Sequence, residues 1–245
     1  MSLWVVVPAY NEAPRIGGTL ARLAAQTDRD FTLVVVDNAG TDGTADVVRA
    51  FAATAPFAVH VLREEQKGVG CAVDTGFRYA IAHGATRIAR TDADCLPRAG
   101  WVAAARAAFD SGAAMAYGVL RARRDENGVV GRLAFRAMVG IASAAAPLRP
   151  VNRAVRGHLA PHRLHAGNNM AITSALYLTI GGMPRRPAPT DRLMFERVRR
   201  HTTAITRSRG MVVENSTRRF KAYGVLGTAR WYLGRGSGPR DEDPR

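Results

Sequence analysis

Leu3-Trp4-Val5-Val6-Val7-Pro8-Ala9-Tyr10-Asn11-Glu12, followed by Phe31-Thr32-Leu33-Val34-Val35-Val36-Asp37-Asn38, decides the architecture. Each stretch is an apolar run that breaks off into polar residues. Runs this continuous suit strands buried on both faces, as in a parallel sheet, rather than strands with one solvated face. Between them a helix can begin at Pro14, with Ile16, Leu20 and Leu23 on one face. The strand–helix–strand unit then recurs. Thr41-Asp42-Gly43-Thr44 caps a helix whose apolar face carries Val47, Val48 and Phe51, and Phe57 to Leu62 reads as a third strand. A glycine-bearing helix runs from Gly68 through Ala82, Arg87 to Thr91 is a fourth strand, Trp101 to Phe109 a helix and Met115 to Leu120 a fifth strand. This order predicts an α/β fold, a mainly parallel sheet with helices on both faces.

Beyond Leu120 the pattern loosens. Arg121 to Gly128 reads as a charged loop, and Val129 to Ala146 as an amphipathic helix with arginines on one side. Pro147 to His165, rich in Pro, Arg and His, reads as a long irregular segment. Ala171 to Ile180 is expected as a helix ending at Gly181-Gly182, and Asp191 to Arg200 as another. From Gly234 onward the Gly, Pro and charge content predicts a disordered tail. No internal repeat stands out.

Composition narrows the class. At 245 residues, 47% hydrophobic and 22% charged, the chain can bury a substantial core. Cys71 and Cys95 support neither a disulfide framework nor a zinc motif, so a reducing, cytosolic setting is the expectation. Leu3 to Val7 is too short for a signal peptide, and the nearly uncharged run Met138 to Leu148 is too short to cross a bilayer. The formal charge of +15 calls for an anionic partner: nucleic acid, a membrane surface or a phosphorylated substrate. An arginine-favouring composition could account for part of it. Nucleic-acid binding would call for aromatics interleaved with the bases or a recognition helix. Aromatics are only 7%, and the arginine-rich stretch from Arg121 to Arg235 shows neither.

In an open parallel sheet, ligands bind beyond the carboxyl ends of the strands. Three polar clusters fall there: Pro8 to Glu12, Asp37-Asn38 and Asp92-Ala93-Asp94. A carboxylate closing the second strand can accept an N–H from a nucleobase, and an acid after the first can bind ribose hydroxyls. The pair after the fourth strand can hold a hard divalent cation and, through it, a diphosphate. Taken singly, each cluster is ordinary turn chemistry. Three on one sheet edge are a much sharper observation. Lys67-Gly68-Val69-Gly70 lacks P-loop spacing, and no G-x-G-x-x-G follows the first strand. Its glycines allow close helix packing, with Lys67 near the nucleotide. His158, His162 and His165 have helical spacing for a zinc face, but Pro161 breaks the helix, and an acceptor-side loop is preferred. Trp231-Tyr232-Leu233 beside Arg230 and Arg235 could rest on a membrane interface.

Together these stretches resemble the successive motifs of family 2 glycosyltransferases, which have the GT-A fold. Val5 to Glu12, Val34 to Thr44, Lys67 to Ala72 and Asp92-Ala93-Asp94 carry the resemblance. Ala166-Gly167-Asn168-Asn169-Met170-Ala171, Gly181-Gly182-Met183-Pro184 and Asp191 with Leu193 continue it, over roughly residues 3 to 220. The resemblance implies a Rossmann-like GT-A domain over 1–233, with a nucleotide-sugar half (1–120), an acceptor half (121–233) and a tail at 234–245. It implies that Pro8, Ala9, Tyr10 and Glu12 line the nucleotide pocket and that Asp37 meets the base, with Lys67, Asp92 and Ala93 beside them. Asp94 is then the main metal ligand, and Asp92 touches the metal or the ribose. Asp191 matches the general base of inverting members, although the same residue could simply cap a helix after Pro189-Thr190. Gly167, Asn168, Asn169 and His165 fall on the acceptor or diphosphate side, as do Arg218 and Arg219, whose arginines could equally be a solvated charge run. Three positions depart from the family pattern. The usual Glu-Asp at the base is Thr190-Asp191, the frequent Asp-Asp after the second strand is Asp37-Asn38, and no C-terminal histidine ligand can be assigned.

The expectation is therefore an inverting glycosyltransferase assisted by Mn²⁺ or Mg²⁺. Its donor is a nucleotide-diphospho-sugar, UDP favoured, and its acceptor a glycan, a natural product or a polyprenol phosphate. A cytosolic enzyme, peripheral at the inner membrane face, is implied, with no nucleic-acid partner. A retaining sugar transferase or a sugar nucleotidyltransferase keeps the fold with other chemistry. A nucleic-acid binder or an inactive partner subunit are the readings from other classes.

Overall fold

The structure, a computed structural model, describes residues 2–145, 157–160, 167–185 and 190–218. Its strands are β1 (Leu3–Ala9), β2 (Thr32–Asn38), β3 (Val59–Glu64), β4 (Arg87–Thr91), β5 (Leu96–Pro97), β6 (Met115–Ala122), β7 (Asn169–Thr173) and β8 (Ile205–Asn215). Its helices are α1 (Ala13–Ala24), α2 (Thr44–Ala52), α3 (Val69–Ala82), α4 (Trp101–Asp110), α5 (Val129–Ala145), α6 (Ser174–Thr179) and α7 (Thr190–His201). The eight strands form one sheet in the order β3-β2-β1-β4-β7-β6-β8-β5. β3, β2, β1 and β4 run parallel, as the strand–helix alternation predicts. β7 then inserts antiparallel between β4 and β6, β6 pairs with β8 in parallel, and β5 closes the edge antiparallel to β8.

The unbroken apolar runs of β1 and β2 explain the layers. On one face Val5, Val7, Leu33 and Val35 pack against Ile16, Leu20 and Leu23 of α1 and against Trp101, Val102 and Ala105 of α4. On the other, Val6, Val34 and Val36 meet Val73, Phe77 and Ala80 of α3 and Met194, Phe195 and Val198 of α7. Each such fully buried side chain contributes about 1.5–3 kcal/mol of transfer free energy, an upper figure because the unfolded chain is itself partly collapsed. Both faces of the sheet are therefore occupied, and polar groups can gather only at the strand ends.

The structure departs from the sequence reading at three places. Ala171 to Ile180 is not one helix: Asn169–Thr173 is strand β7, and only Ser174–Thr179 is helical. Met170, Ala171 and Ile172 are fully buried between β4 and β6, so strand pairing overrides local helix propensity. Thr173 caps the short helix, its Oγ1 accepting from the Leu176 N–H at 3.3 Å. Strands β5 and β8 also escape the sequence reading, since β8 opens on polar Thr206-Arg207-Ser208-Arg209. The ladder between β6 and β8 slips at Gly118, where a Cβ would strike the Met211 carbonyl and the Asn169 side chain. The third strand, expected over Phe57 to Leu62, runs instead over Val59–Glu64 and is half-buried, as befits a sheet edge.

Of the three histidines with helical spacing, only His158 lies among the described residues, where it packs beside α7. Its Nε2 lies 2.9 Å from Glu196 Oε2 on α7, and burial pushes its pKa below the usual imidazole range. His162, His165, Arg219, Trp231-Tyr232-Leu233 and the tail lie outside the described residues. Among the described residues, no helix is long and apolar enough to cross a membrane.

Candidate active site

The carboxyl ends of β1, β2 and β4 lie side by side, with Ala9 paired to Asp37 and Val6 to Arg90. After β1 the chain turns at Asn11, which takes a left-handed φ of 51°. The Asn11 Oδ1 accepts the Thr41 N–H at 2.8 Å, and the Glu12 N–H donates to Thr44 Oγ1 at 2.9 Å. The two loops that would embrace a nucleotide are thus tied to each other. Asp37 is buried: its Oδ1 accepts the Gly40 N–H at 3.1 Å, and its Oδ2 meets Arg63 Nη1 at 3.1 Å. Gly40 is glycine because a Cβ there would strike Asp37 Oδ1. Asn38 works on the next loop, accepting the Gly68 N–H at 2.8 Å and donating to the Gln66 carbonyl at 2.7 Å. Lys67 at the tip stands over the Tyr10 ring, 5.4 Å from its centroid. Of the expected nucleotide-side residues, Tyr10 and Lys67 are therefore in contact, while Pro8 and Ala9 lie in β1 itself.

Asp92, Ala93 and Asp94 are all buried where β4 ends. Thr19 Oγ1 from α1 contacts the Ala93 and Cys95 carbonyl oxygens at 2.7 and 2.8 Å, which fixes the turn. Two arginines satisfy the carboxylates. Arg90, 1% exposed, meets Asp92 Oδ1 through Nη2 at 3.0 Å and Asp191 Oδ1 through Nη1 at 2.7 Å. Arg218 Nη2 touches Glu12 Oε1 at 2.5 Å and Asp94 Oδ2 at 2.8 Å. Both arginines hold their protons above the usual guanidinium range despite burial, because each faces two carboxylates. Burial pushes Glu12 above the usual carboxylate range, and Arg218 only partly offsets that. Arg123 adds a further cation, donating to the Asp94 carbonyl at 3.1 Å.

Asp191 stands in the first turn of α7, which begins one residue earlier at Thr190, so it is a first-turn acid complementing the helix dipole rather than the cap. Its side chain is 35% exposed. Gly167 packs on it so closely that a Cβ would collide with the carboxylate. Asn168 donates to Asn215 Oδ1 at 2.6 Å, and Cys95 Sγ lies 3.2 Å from the same oxygen. Asn169 is fully buried, its Oδ1 accepting from Trp101 Nε1 at 2.8 Å and its Nδ2 donating to the Val119 and Met211 carbonyls. Of the expected acceptor-side residues, Gly167 thus touches Asp191, Arg218 joins the acidic cluster, and Asn169 knits β6, β7 and β8 together. Arg90 and Arg123 were not singled out from the sequence. A charged residue in a strand otherwise buried on both faces was the one signal there for Arg90, and Arg87 in the same strand shares it.

The carboxylates suit a divalent cation. Glu12 Oε1 and Asp94 Oδ2, from the segments that follow β1 and β4, converge on a single guanidinium nitrogen, as they would on an ion. The second oxygen, Glu12 Oε2, is buried and makes no hydrogen bond among the described residues, with Arg15 Nη1 at 3.7 Å. Among the described residues no three His, Cys, Asp or Glu side chains form a complete ligand set, so a bound ion would need ligands from elsewhere.

Comparison with solved structures defines the class of fold. The chain resembles TarS of S. aureus, solved with UDP-GlcNAc, with a TM-score of 0.65 at 18% identity over 89% of this chain and 59% of that one. It resembles a mannosyltransferase from Pyrobaculum calidifontis, solved with GDP-Man and Mn²⁺, with a TM-score of 0.65 at 23% identity over 99% of this chain and 67% of that one. The fold is that of the GT-A glycosyltransferases. Residues 4–165 match the model of the family described as Glycosyl transferase family 2, and the chain belongs to that family. Among curated relatives, an undecaprenyl-phosphate mannosyltransferase of Micrococcus luteus is 38% identical over 95 residues, 38% of this chain and 38% of the relative. Glycosyltransferase AglE of Haloferax volcanii is 33% identical over 100 residues, 40% of this chain and 32% of the relative. These matches span between about a third and two fifths of the curated relatives' length.

Proposed function

We propose that the protein transfers a sugar from a nucleotide-diphospho-sugar to an acceptor hydroxyl with inversion at the anomeric carbon. The observation that carries this reading is a single chain of contacts: Asp92, at the nucleotide edge, is joined through Arg90 to Asp191, a half-open carboxylate across the cleft. Inversion needs a base on the face opposite the leaving diphosphate, and Asp191 is the group to take the acceptor proton as the hydroxyl attacks. Asp37 would receive an N–H of the base, UDP favoured, with Tyr10 and Lys67 flanking it. Asp94, with Asp92, would hold Mn²⁺ or Mg²⁺, whose contribution is to offset charge on the leaving diphosphate. Arg218 would trade its carboxylate partners for phosphate oxygens, a bidentate geometry it suits.

The acceptor reading includes a glycan, a natural product and a polyprenol phosphate. The name of the Micrococcus luteus relative supports the last of these. With it goes a cytosolic enzyme peripheral at the inner membrane face, its domain running over 1–233. The +15 charge is assigned to phosphorylated substrates and the membrane surface rather than to nucleic acid. Asp191→Asn tests the chemistry. Nucleotide release in the presence of acceptor should fall by at least about a thousandfold with Mn²⁺ and UDP affinity preserved, in line with loss of a base. Near wild-type transfer by that variant would favour a retaining transferase or a nucleotidyltransferase.

A further inference from the structure

Arg90 sits one residue before the end of β4, paired across to Val6 on β1 and Met170 on β7, both fully buried. An arginine there carries a desolvation cost of several kcal/mol unless carboxylates meet it. Two do, from opposite sides: Nε and Nη2 on Asp92 Oδ1 at 3.1 and 3.0 Å, and Nη1 on Asp191 Oδ1 at 2.7 Å. The second partner comes from a helix 101 residues further along the chain. Gly167 then closes the other side of the Asp191 carboxylate, at an ordinary φ that any residue could adopt, so the missing side chain serves the close approach alone. Asp191 is thus gripped by a guanidinium and roofed by a bare backbone while its side chain stays 35% exposed.

We infer that Arg90 and Gly167 are positioning residues that aim the Asp191 carboxylate, Arg90 taking its bearing from the donor-side Asp92. The inference rests on Asp191 being the base. A proton acceptor must sit within a fraction of an ångström of its working position, and a rigid fork spanning two carboxylates fixes both direction and distance. A lysine would keep the buried charge and lose the fork.

The test compares Arg90→Lys, Gly167→Ala, their double variant and Asp191→Asn. Probes are Mn²⁺ with UDP-glucose, UDP-GlcNAc or GDP-mannose, read as nucleoside diphosphate release, alongside calorimetric UDP–Mn²⁺ affinity and melting temperature. Each single variant is expected to lose about tenfold or more in kcat beyond any loss in UDP affinity, roughly 1.4 kcal/mol at the transition state. The double variant should fall no more than about threefold below the weaker single, because both changes act through one carboxylate. Losses that multiply, or that appear wholly in UDP affinity or melting temperature, overturn the inference. An inactive Asp191→Asn with Arg90→Lys and Gly167→Ala at wild-type kcat leaves the base in place and removes the positioning role. An active Asp191→Asn removes the base, and the positioning role with it. If Arg90→Lys does not fold, Gly167→Ala decides alone, unchanged kcat being the refuting result.

Discussion

Arg218 brings one nitrogen to two carboxylates, and the consequence is electrostatic. Glu12 and Asp94 share one internal guanidinium, so a divalent ion entering the cluster competes with it. Arg218→Gln is therefore expected to tighten Mn²⁺ binding in the absence of nucleotide by about threefold to tenfold and to weaken UDP binding in its presence. Titration calorimetry with Mn²⁺ alone, then with UDP, checks both signs. Asp94→Asn should do the reverse at the first step, abolishing the Mn²⁺-dependent rise in melting temperature that UDP gives wild type. Legibility at this scale was uneven. Asp92-Ala93-Asp94 and Asp191 could be chosen as a pair and a partner from their order along the chain. Arg90 could not, because nothing in Arg87-Ile88-Ala89-Arg90-Thr91 tells which arginine points into a cleft and which, like Arg87, pairs with Asp110 at the strand's other end.

At the scale of elements, the loop leading to α7 is strapped to the edge of the sheet. Arg185 Nη2 lies 2.8 Å from Glu64 Oε2 at the end of β3, and Thr75 of α3 hydrogen-bonds the same oxygen. Burial works against the Glu64 charge, but these bonds and the Gln66 N–H outweigh it and hold its pKa below the usual carboxylate range. A lowered pKa contributes stability that is present above the unfolded value near 4.5 and lost as pH falls through the folded one. Glu64→Gln should thus melt lower than wild type at pH 7, by an amount worth about 1 kcal/mol or less given the exposure of Arg185. The gap should close in a melting series as the pH is lowered through the folded-state titration of Glu64. Elements built on local repetition were readable: α5 was expected at Val129 to Ala146 and spans Val129–Ala145. β7 and β8 were not, because they are strands only through the partners they find. Asn169–Thr173 carries no signal that separates it from the helix that follows, and the opening of β8 looks like a charged loop.

For the molecule as a whole, the parallel half followed from apolar runs and helix spacing, while the half around β6, β7 and β8 depends on pairings distant in sequence. The charge of +15 belongs to this scale too. A field of that sign should speed the arrival of nucleotide diphosphates and be screened by salt. The association rate of UDP, followed by stopped-flow, is expected to fall several-fold between about 50 and 500 mM NaCl with dissociation little changed.

The insertion of β7 between β4 and β6 also sets a timetable. During synthesis β1 to β4 can pair as soon as they emerge, yet β4 keeps one bare edge until residue 173 has left the ribosome. Through that interval the nascent chain displays the unpaired backbone of Arg87 to Thr91, a template for any passing strand. Arg90, destined to steer a carboxylate in the finished enzyme, is in the meantime a charge on that edge, the kind of residue that discourages wrong partners from docking.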